Sequence, residues 1–153
     1  MARQLLDRDR GYRQLMQTVG ALARGASVQV GIFANDVRRE GEVSNAELGT
    51  IHEFGLGDVP ERSWLRGWAD ENRDAIIRNL RLIGKGIFLS KDDVRVACDR
   101  FGQWAVGGIK RRIQAHIPPP NTEATIQAKG SSTPLIDTGQ FIGSIQFKTE
   151  LGQ

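Results

Sequence analysis

Apolar residues recur at intervals of three and four along three stretches of the chain, which is the period of a helix with one buried face. These stretches cover residues 5–23, 65–83 and 91–116. Gly84 and Gly86 are expected to end the second helix, and the Pro118–Pro120 run ends the third because proline cannot continue a helix. The pattern predicts three amphipathic helices, of which the last two are long.

Alternation of β-branched and polar residues predicts two strands, near 28–33 and 144–149, that could pair with each other. The polar, glycine-containing stretch near 34–45 and the proline- and serine-containing stretch near 117–136 are predicted to be mobile arms. The predicted fold is therefore α+β. A small antiparallel or mixed sheet packs against the two long helices, in one domain that covers residues 1–153 and carries two extended arms.

Two pairs of residues have the spacing of a capping box, in which two side chains satisfy backbone N–H groups at a helix start. Ser44 and Glu47 predict a helix that ends at Phe54, and Asp137 and Gln140 predict a later one. Asp137 also belongs to the string Leu-Ile-Asp-Thr-Gly, which resembles the active-site signature of aspartic proteases. Only 14 residues follow Gly139, too few for a substrate-binding half. We therefore interpret Asp137, Thr138 and Gly139 as a structural motif.

The other residues with reactive side chains do not form a catalytic or metal-binding pattern. His52 and Glu53 are neighbours on a predicted helix, so their side chains point about 100° apart. The second histidine, His116, has no partner at metal-ligand spacing. Cys98 is the only cysteine, which excludes an internal disulfide. We predict no enzyme activity, no cofactor and no metal.

Composition and charge narrow the class of protein further. The chain has 21 Lys and Arg against 18 Asp and Glu, a net charge of +3, and the densest basic cluster is Lys110-Arg111-Arg112. This is a weak footprint for a nucleic-acid binder. No apolar run approaches the roughly 20 residues of a membrane span, and the opening residues resemble neither a signal nor a transit peptide. We expect a cytoplasmic compartment and no membrane partner.

Trp64 differs from the other tryptophans because it lies at the start of a predicted helix, between Arg62 and Arg66. Tryptophan and arginine are enriched in protein interfaces. We therefore expect Trp64 at or near a subunit interface and not in the core of the protomer.

Several short strings occur in a specific order between about residues 28 and 147. They are Val30-Gly31-Ile32, Ile51-His52-Glu53-Phe54-Gly55, Val59-Pro60-Glu61-Arg62-Ser63-Trp64-Leu65-Arg66, Asp70-Glu71-Asn72, Pro119-Pro120-Asn121 and 129–139. Together they resemble the tail-completion and head-to-tail joining proteins of tailed bacteriophages.

This resemblance implies a non-enzymatic virion protein that forms a ring, commonly a hexamer, at the head-to-tail junction. The implied partners are further copies of the chain and the neighbouring connector, head-completion and tail-tube proteins. DNA would pass through the ring without sequence-specific binding. The particle would be assembled in the bacterial cytoplasm.

Composition and position along the chain also give individual residues an expected role. The expected interface residues are Arg62, Trp64, Arg66, Pro119, Pro120, Lys129, Ser131 and Ser132, and the expected structural motif contains His52, Glu53, Phe54 and Gly55. Two alternatives stay open, a DNA-binding module and a head-completion (stopper or adaptor) ring. Affinity for DNA that falls steeply with salt would favour the former.

Overall fold

The computed structural model describes residues 12–33, 43–89, 93–129, 135 and 139–152. Within these residues the chain is a mixture of helices and one small sheet. The helices are α1 (Tyr12–Ala23), α2 (Asn45–Phe54), α3 (Arg66–Glu71), α4 (Arg73–Phe88), α5 (Val94–Gln114), α6 (Glu123–Lys129) and α7 (Gln140–Ser144), and the strands are β1 (Ala26–Gly31) and β2 (Gln146–Leu151). The predicted α+β class is confirmed.

The two strands pair in antiparallel register, with Val28 opposite Thr149 and Val30 opposite Phe147. Both strands contact α5 extensively. Gly102 on α5 allows this close approach, because a Cβ atom there would collide with the ring of Phe147. The predicted pairing of the two segments is therefore confirmed, and the sheet is antiparallel.

Helix α5 lies at the centre of the main hydrophobic cluster. Its residues Ala105, Ile109 and Ile113 are buried together with Trp64 and Trp68. The helix begins after Asp93, whose carboxylate accepts hydrogen bonds from the backbone N–H groups of the next turn. It is slightly shorter than the predicted 91–116, and Ser90, the other residue of the predicted capping pair, lies outside the described residues.

The single helix predicted over 65–83 is wrong in two respects. It is divided into α3 and α4 at Asn72, which departs from helical geometry with φ of −106° and ψ of 12°. The backbone N–H and the side-chain amide of Asn72 both donate to the carbonyl oxygen of Trp68 (3.0 and 2.9 Å). Helix α4 also continues through Gly84 and Gly86 to Phe88. The buried side chain of Ile87 packs with Val94 and Ala97 in a second cluster, and this packing offsets the low helix propensity of glycine.

The apolar stripe of α1 was expected to be buried, yet Tyr12, Met16 and Val19 are exposed. These side chains follow one another at i, i+4 and i+7, so they lie on one face of the helix. Helix α1 contacts α4 and α5 only lightly. It therefore lies at the edge of the helical layer and leaves this face uncovered.

The two predicted arms are only partly described. Of the arm near 34–45, residues 34–42 lie outside the described residues. In the arm near 117–136, Ile117 and Leu135 are both buried in the main cluster, and Glu123–Lys129 form α6. Residues 130–134 and 136–138 lie outside the described residues, so the mobility of both arms stays a prediction. None of the described helices has the length and hydropathy of a membrane span.

Candidate functional site

Two neighbouring segments and a third that is distant in sequence meet in a network of hydrogen bonds that we call the polar junction. It contains the side chains of Glu53, Arg62 and Ser63, the backbone N–H of Arg66, and the carbonyl oxygens of Pro119 and Pro120. These groups come from the end of α2, from the link that leads into α3, and from the chain that follows α5.

The end of α2 positions the first of these groups. The helix begins with the predicted capping box, in which Ser44 Oγ accepts from the Glu47 N–H (3.2 Å) and Glu47 Oε2 accepts from the Ser44 N–H (2.9 Å). It ends at Gly55, which adopts a left-handed φ of 73°. A Cβ atom at this position would lie only 3.1 Å from the backbone nitrogen of Glu61, so a residue other than glycine would be both crowded and strained at this turn.

Glu53 caps helix α3 from outside that helix. Its carboxylate accepts hydrogen bonds from Ser63 Oγ (2.7 Å) and from the backbone N–H groups of Leu65 (2.9 Å) and Arg66 (3.0 Å). Leu65 occupies the N-cap position of α3 and has no side-chain group that can cap. A buried carboxylate on another helix therefore satisfies the first N–H groups of α3.

Arg62 joins the same link to the segment after α5. Its guanidinium is buried, with only 6% of the residue exposed, and donates from Nε to the carbonyl of Pro119 (2.8 Å) and from Nη2 to that of Pro120 (3.3 Å). Burial lowers the pKa of this guanidinium. The two carbonyl oxygens partly replace the water that the charge loses on burial.

Arg112 extends the junction to the last turn of α5. Its Nε donates to the carbonyl of Ser63 (3.1 Å), and its Nη1 forms an ion pair with Glu71. The side chain lies directly over Gly67, where a Cβ atom would collide with it. One member of the Lys110-Arg111-Arg112 cluster is thus engaged within the protein and is not available to a nucleic acid in this arrangement.

The expectation that Trp64 lies outside the core is wrong. The residue is 4% exposed, and its ring packs edge-on against Phe141 at 5.4 Å between centroids. Its indole N–H donates to the carbonyl of Gly49 (2.9 Å). The turn at Gly55 reverses the chain, so that the start of the next segment faces inward beneath α2. Tryptophan can be buried there because its single polar group has a partner.

The structure brings some of the predicted site residues together and separates others. Glu53, Arg62 and Arg66 share the junction with Pro119 and Pro120, but the burial of Arg62 corrects its predicted place on an interface. Phe54 is exposed, and the Arg66 guanidinium lies 5.3 Å from the centre of its ring. The backbone carbonyl of His52, itself a buried residue, accepts from the Arg62 N–H (2.6 Å).

The remaining predicted residues lie away from the junction or cannot be placed. Lys129 ends α6, whereas Ser131, Ser132, Asp137 and Thr138 lie outside the described residues. Gly139, with φ of 80°, holds the N-cap position of α7, and the predicted cap by Asp137 stays a prediction because that residue lies outside the described residues. Ser63 and Arg112 were missed, since no local pattern links residues 49 positions apart.

A surface groove of about 580 Å³ borders the junction, between the end of β1 and helix α2. Val30, Ile32, Phe33 and Leu65 give it mainly apolar walls, and Glu53 is among its few charged groups. That carboxylate already accepts from three donors, so its role here is to hold α3 in place. Within the described part of the chain, no group of three or more His, Cys, Asp or Glu side chains is arranged to hold a metal ion.

Comparisons of this chain with protein-family models, with curated proteins and with solved structures find no match.

Proposed function

We propose that this chain is a non-enzymatic structural protein of a phage virion, which forms a ring at the head-to-tail junction and joins the portal or connector to the tail. The ring is a tail-completion, tail-terminator or neck component with several copies of the chain, commonly six in such rings. DNA passes through it without sequence-specific binding.

The polar junction is the observation that supports this proposal. The strings that carry the resemblance to head-to-tail joining proteins include 51–55, 59–66 and 119–121, and these three are the segments that Glu53 and Arg62 connect. Two neighbouring strings and a third, more than 50 residues later, thus form one hydrogen-bonded unit. Their joint occurrence in the chain has a physical reason, because each provides partners for the others.

The same unit suits a ring subunit mechanically. It fixes the turn after α2, the start of α3 and the exit from α5 relative to one another, so that the surfaces on either side move as one body. A closed ring requires each protomer to present two different faces at a constant angle, since small angular errors add up around the ring.

The DNA-binding alternative receives less support from the structure. Its best cluster was Lys110-Arg111-Arg112, and Arg112 is engaged by Glu71 and Ser63. The head-completion alternative uses the same ring architecture, and it is distinguished by which part of the particle fails when the chain is missing.

Deletion of the gene from the phage or prophage that carries it tests the proposal. We expect DNA-filled heads and separate tails in negative-stain electron micrographs, and we expect purified chain added to this lysate to restore joined, infectious particles. Heads that leak DNA would favour the head-completion ring, and tails of abnormal length would favour the terminator.

A variant with an unchanged junction provides the matched control. Glu150→Gln changes an exposed charge on β2 and should restore infectivity as well as the parent chain does. Complete, infectious particles in the absence of the chain would refute the proposed function.

A further inference from the structure

The hydrogen-bonded turn after α2 presents two apolar side chains to solvent. Phe54 and Leu56 are 62% and 66% exposed. Leu56 and Val59 exchange backbone hydrogen bonds of 3.1 and 3.0 Å across the turn, and Gly57 inside it has φ of 59°. Asp58 is exposed at the tip. We call Phe54, Leu56 and Asp58 the knob. It is apolar and acidic, and two backbone hydrogen bonds close its turn.

Helix α4 presents a second exposed apolar surface. Ile77, Leu80 and Phe88 are 37%, 50% and 61% exposed, and at 100° per residue they lie within an arc of about 80°. Gly84 lies within this arc, so the helix surface is low between Leu80 and Phe88. We call Ile77, Leu80 and Phe88 the α4 stripe.

The charges beside the α4 stripe are mainly basic. The flank of the helix next to it contains Arg78, Arg81 and Lys85 and a single acid, Asp74. The exposed turn of residues 54–61 contains two acids and no base, and the second of these acids, Glu61, pairs with Arg66. The knob and the α4 stripe are therefore complementary in charge as well as apolar.

The two surfaces belong to different parts of the protomer. Helix α2, which ends in the knob, packs against α7, whereas α4 packs against α1, α3 and α5. Two different complementary patches on one chain are what a head-to-tail interface requires, because such an interface repeats from copy to copy.

We infer that the knob of one protomer docks on the α4 stripe of the next copy of the same chain, with Asp58 facing the basic flank formed by Arg78, Arg81 and Lys85. This inference rests on the proposed ring and specifies its subunit interface. Phe54 and Leu56 of the knob supply the apolar contact, and the charges of Asp58 and the basic flank determine the relative orientation of the two copies.

Disulfide trapping tests the inference in the full-length chain with Cys98→Ser as the background. Leu56→Cys and Leu80→Cys are introduced together, and the protein is oxidised under mild conditions both at high concentration and in assembled particles. We expect a ladder of dimers, trimers and higher species on non-reducing gels. Each single cysteine variant should give dimers at most, because one reactive position cannot continue a chain.

Matched variants show whether the ladder reports this interface. Leu56→Cys combined with Glu150→Cys, on the outer face of β2, should give no ladder. Asp58→Lys should lower the yield of the ladder roughly fivefold, and adding Arg81→Glu should restore it, because the charges are then exchanged. Ile77→Cys replaces Leu80→Cys if the latter lowers the melting temperature.

Several results would overturn the inference. One is the absence of a 56–80 ladder above the Glu150→Cys control, both in solution and in particles. Another is a predominance of dimers linked through position 80, which would indicate two stripes face to face. A third is cross-linking of the knob to a different virion protein.

Failure of the interface and failure of the proposed function give different results. If the deletion leaves heads and tails unjoined while the ladder is absent, the interface alone is wrong. If the ladder forms while particles are complete without the chain, the proposed function is wrong.

Discussion

Replacement of Glu53 by glutamine tests whether this side chain holds α3 in place. The substitution keeps the shape of the side chain and removes its charge. Oε1 accepts from Ser63 Oγ and the Arg66 N–H, and Oε2 accepts from the Leu65 N–H. In the variant the amide oxygen can keep the bonds from Ser63 Oγ and the Arg66 N–H. The amide NH₂ group then faces the Leu65 N–H, so two donors meet and this bond is lost.

The expected cost follows from these contacts. A buried donor left without its acceptor costs about 1–3 kcal/mol. The two remaining bonds lose the contribution of the negative charge, about 0.5 kcal/mol or more each, since charge-assisted bonds are roughly twice as strong as neutral ones. We therefore expect Glu53→Gln to lower the free energy of unfolding by about 3 kcal/mol, or the melting temperature by about 6–12 °C in a chain of this size.

Urea unfolding followed by tryptophan fluorescence measures this change. Glu61→Gln is the matched control, because Glu61 pairs with the same Arg66 on the surface and its loss should cost less than about 1 kcal/mol. A loss for Glu53→Gln no larger than that of the control would refute the assignment of Glu53 as the cap of α3.

Three further changes probe other contacts of the fold. Arg62→Lys should lower the free energy of unfolding by about 1–2 kcal/mol, because an ammonium group cannot reach both proline carbonyls in the planar arrangement of arginine; unchanged stability in urea would contradict this. Gly108→Ala should destabilise by about 1–3 kcal/mol because its methyl group would collide with Trp68, whereas Gly107→Ala one residue earlier should stabilise slightly, and equal melting temperatures would count against the packing. Burial raises the pKa of the Cys98 thiol, so a disulfide reagent at pH 8 should label it more slowly in the native protein than in urea, and equal rates would argue otherwise.

Local patterns in the sequence predicted the local features of this fold. The capping box of Ser44 and Glu47 and the strand pairing of 28–33 with 144–149 were predicted because spacing and alternation act over a few residues. The break at Asn72 and the burial of Trp64 were not predicted. Asn72 donates to the carbonyl of Trp68, and Trp64 donates to the carbonyl of Gly49 in another helix. The composition around Trp64 contains no sign of that partner, so it predicted an exposed interface residue where the structure has a buried one.

The candidate site was predicted in its residues but not in its connections. Glu53, Arg62 and Pro119 were each singled out from strings that resemble phage joining proteins, yet nothing in their spacing indicates that Arg62 donates to Pro119 57 residues later. The sequence alone shows only that these residues lie in three short strings that occur in a specific order. The structure adds the reason, which is that the three strings are hydrogen-bonded to one another.

Arg66 connects the polar junction with the knob, and it provides a way to separate folding from assembly. Its backbone N–H is held by Glu53, its guanidinium pairs with Glu61, and it lies over the ring of Phe54. Arg66→Lys keeps the charge but loses the planar group that stacks on the ring and pairs with Glu61. Because the Arg66 side chain is half exposed, we expect a change of less than about 1 kcal/mol in the free energy of unfolding.

If Phe54 must be held in place for docking, the same variant should give a weaker 56–80 ladder at an unchanged melting temperature. An undiminished ladder would show that Phe54 docks without this support, whereas a large fall in melting temperature would place Arg66 among the residues that stabilise the fold.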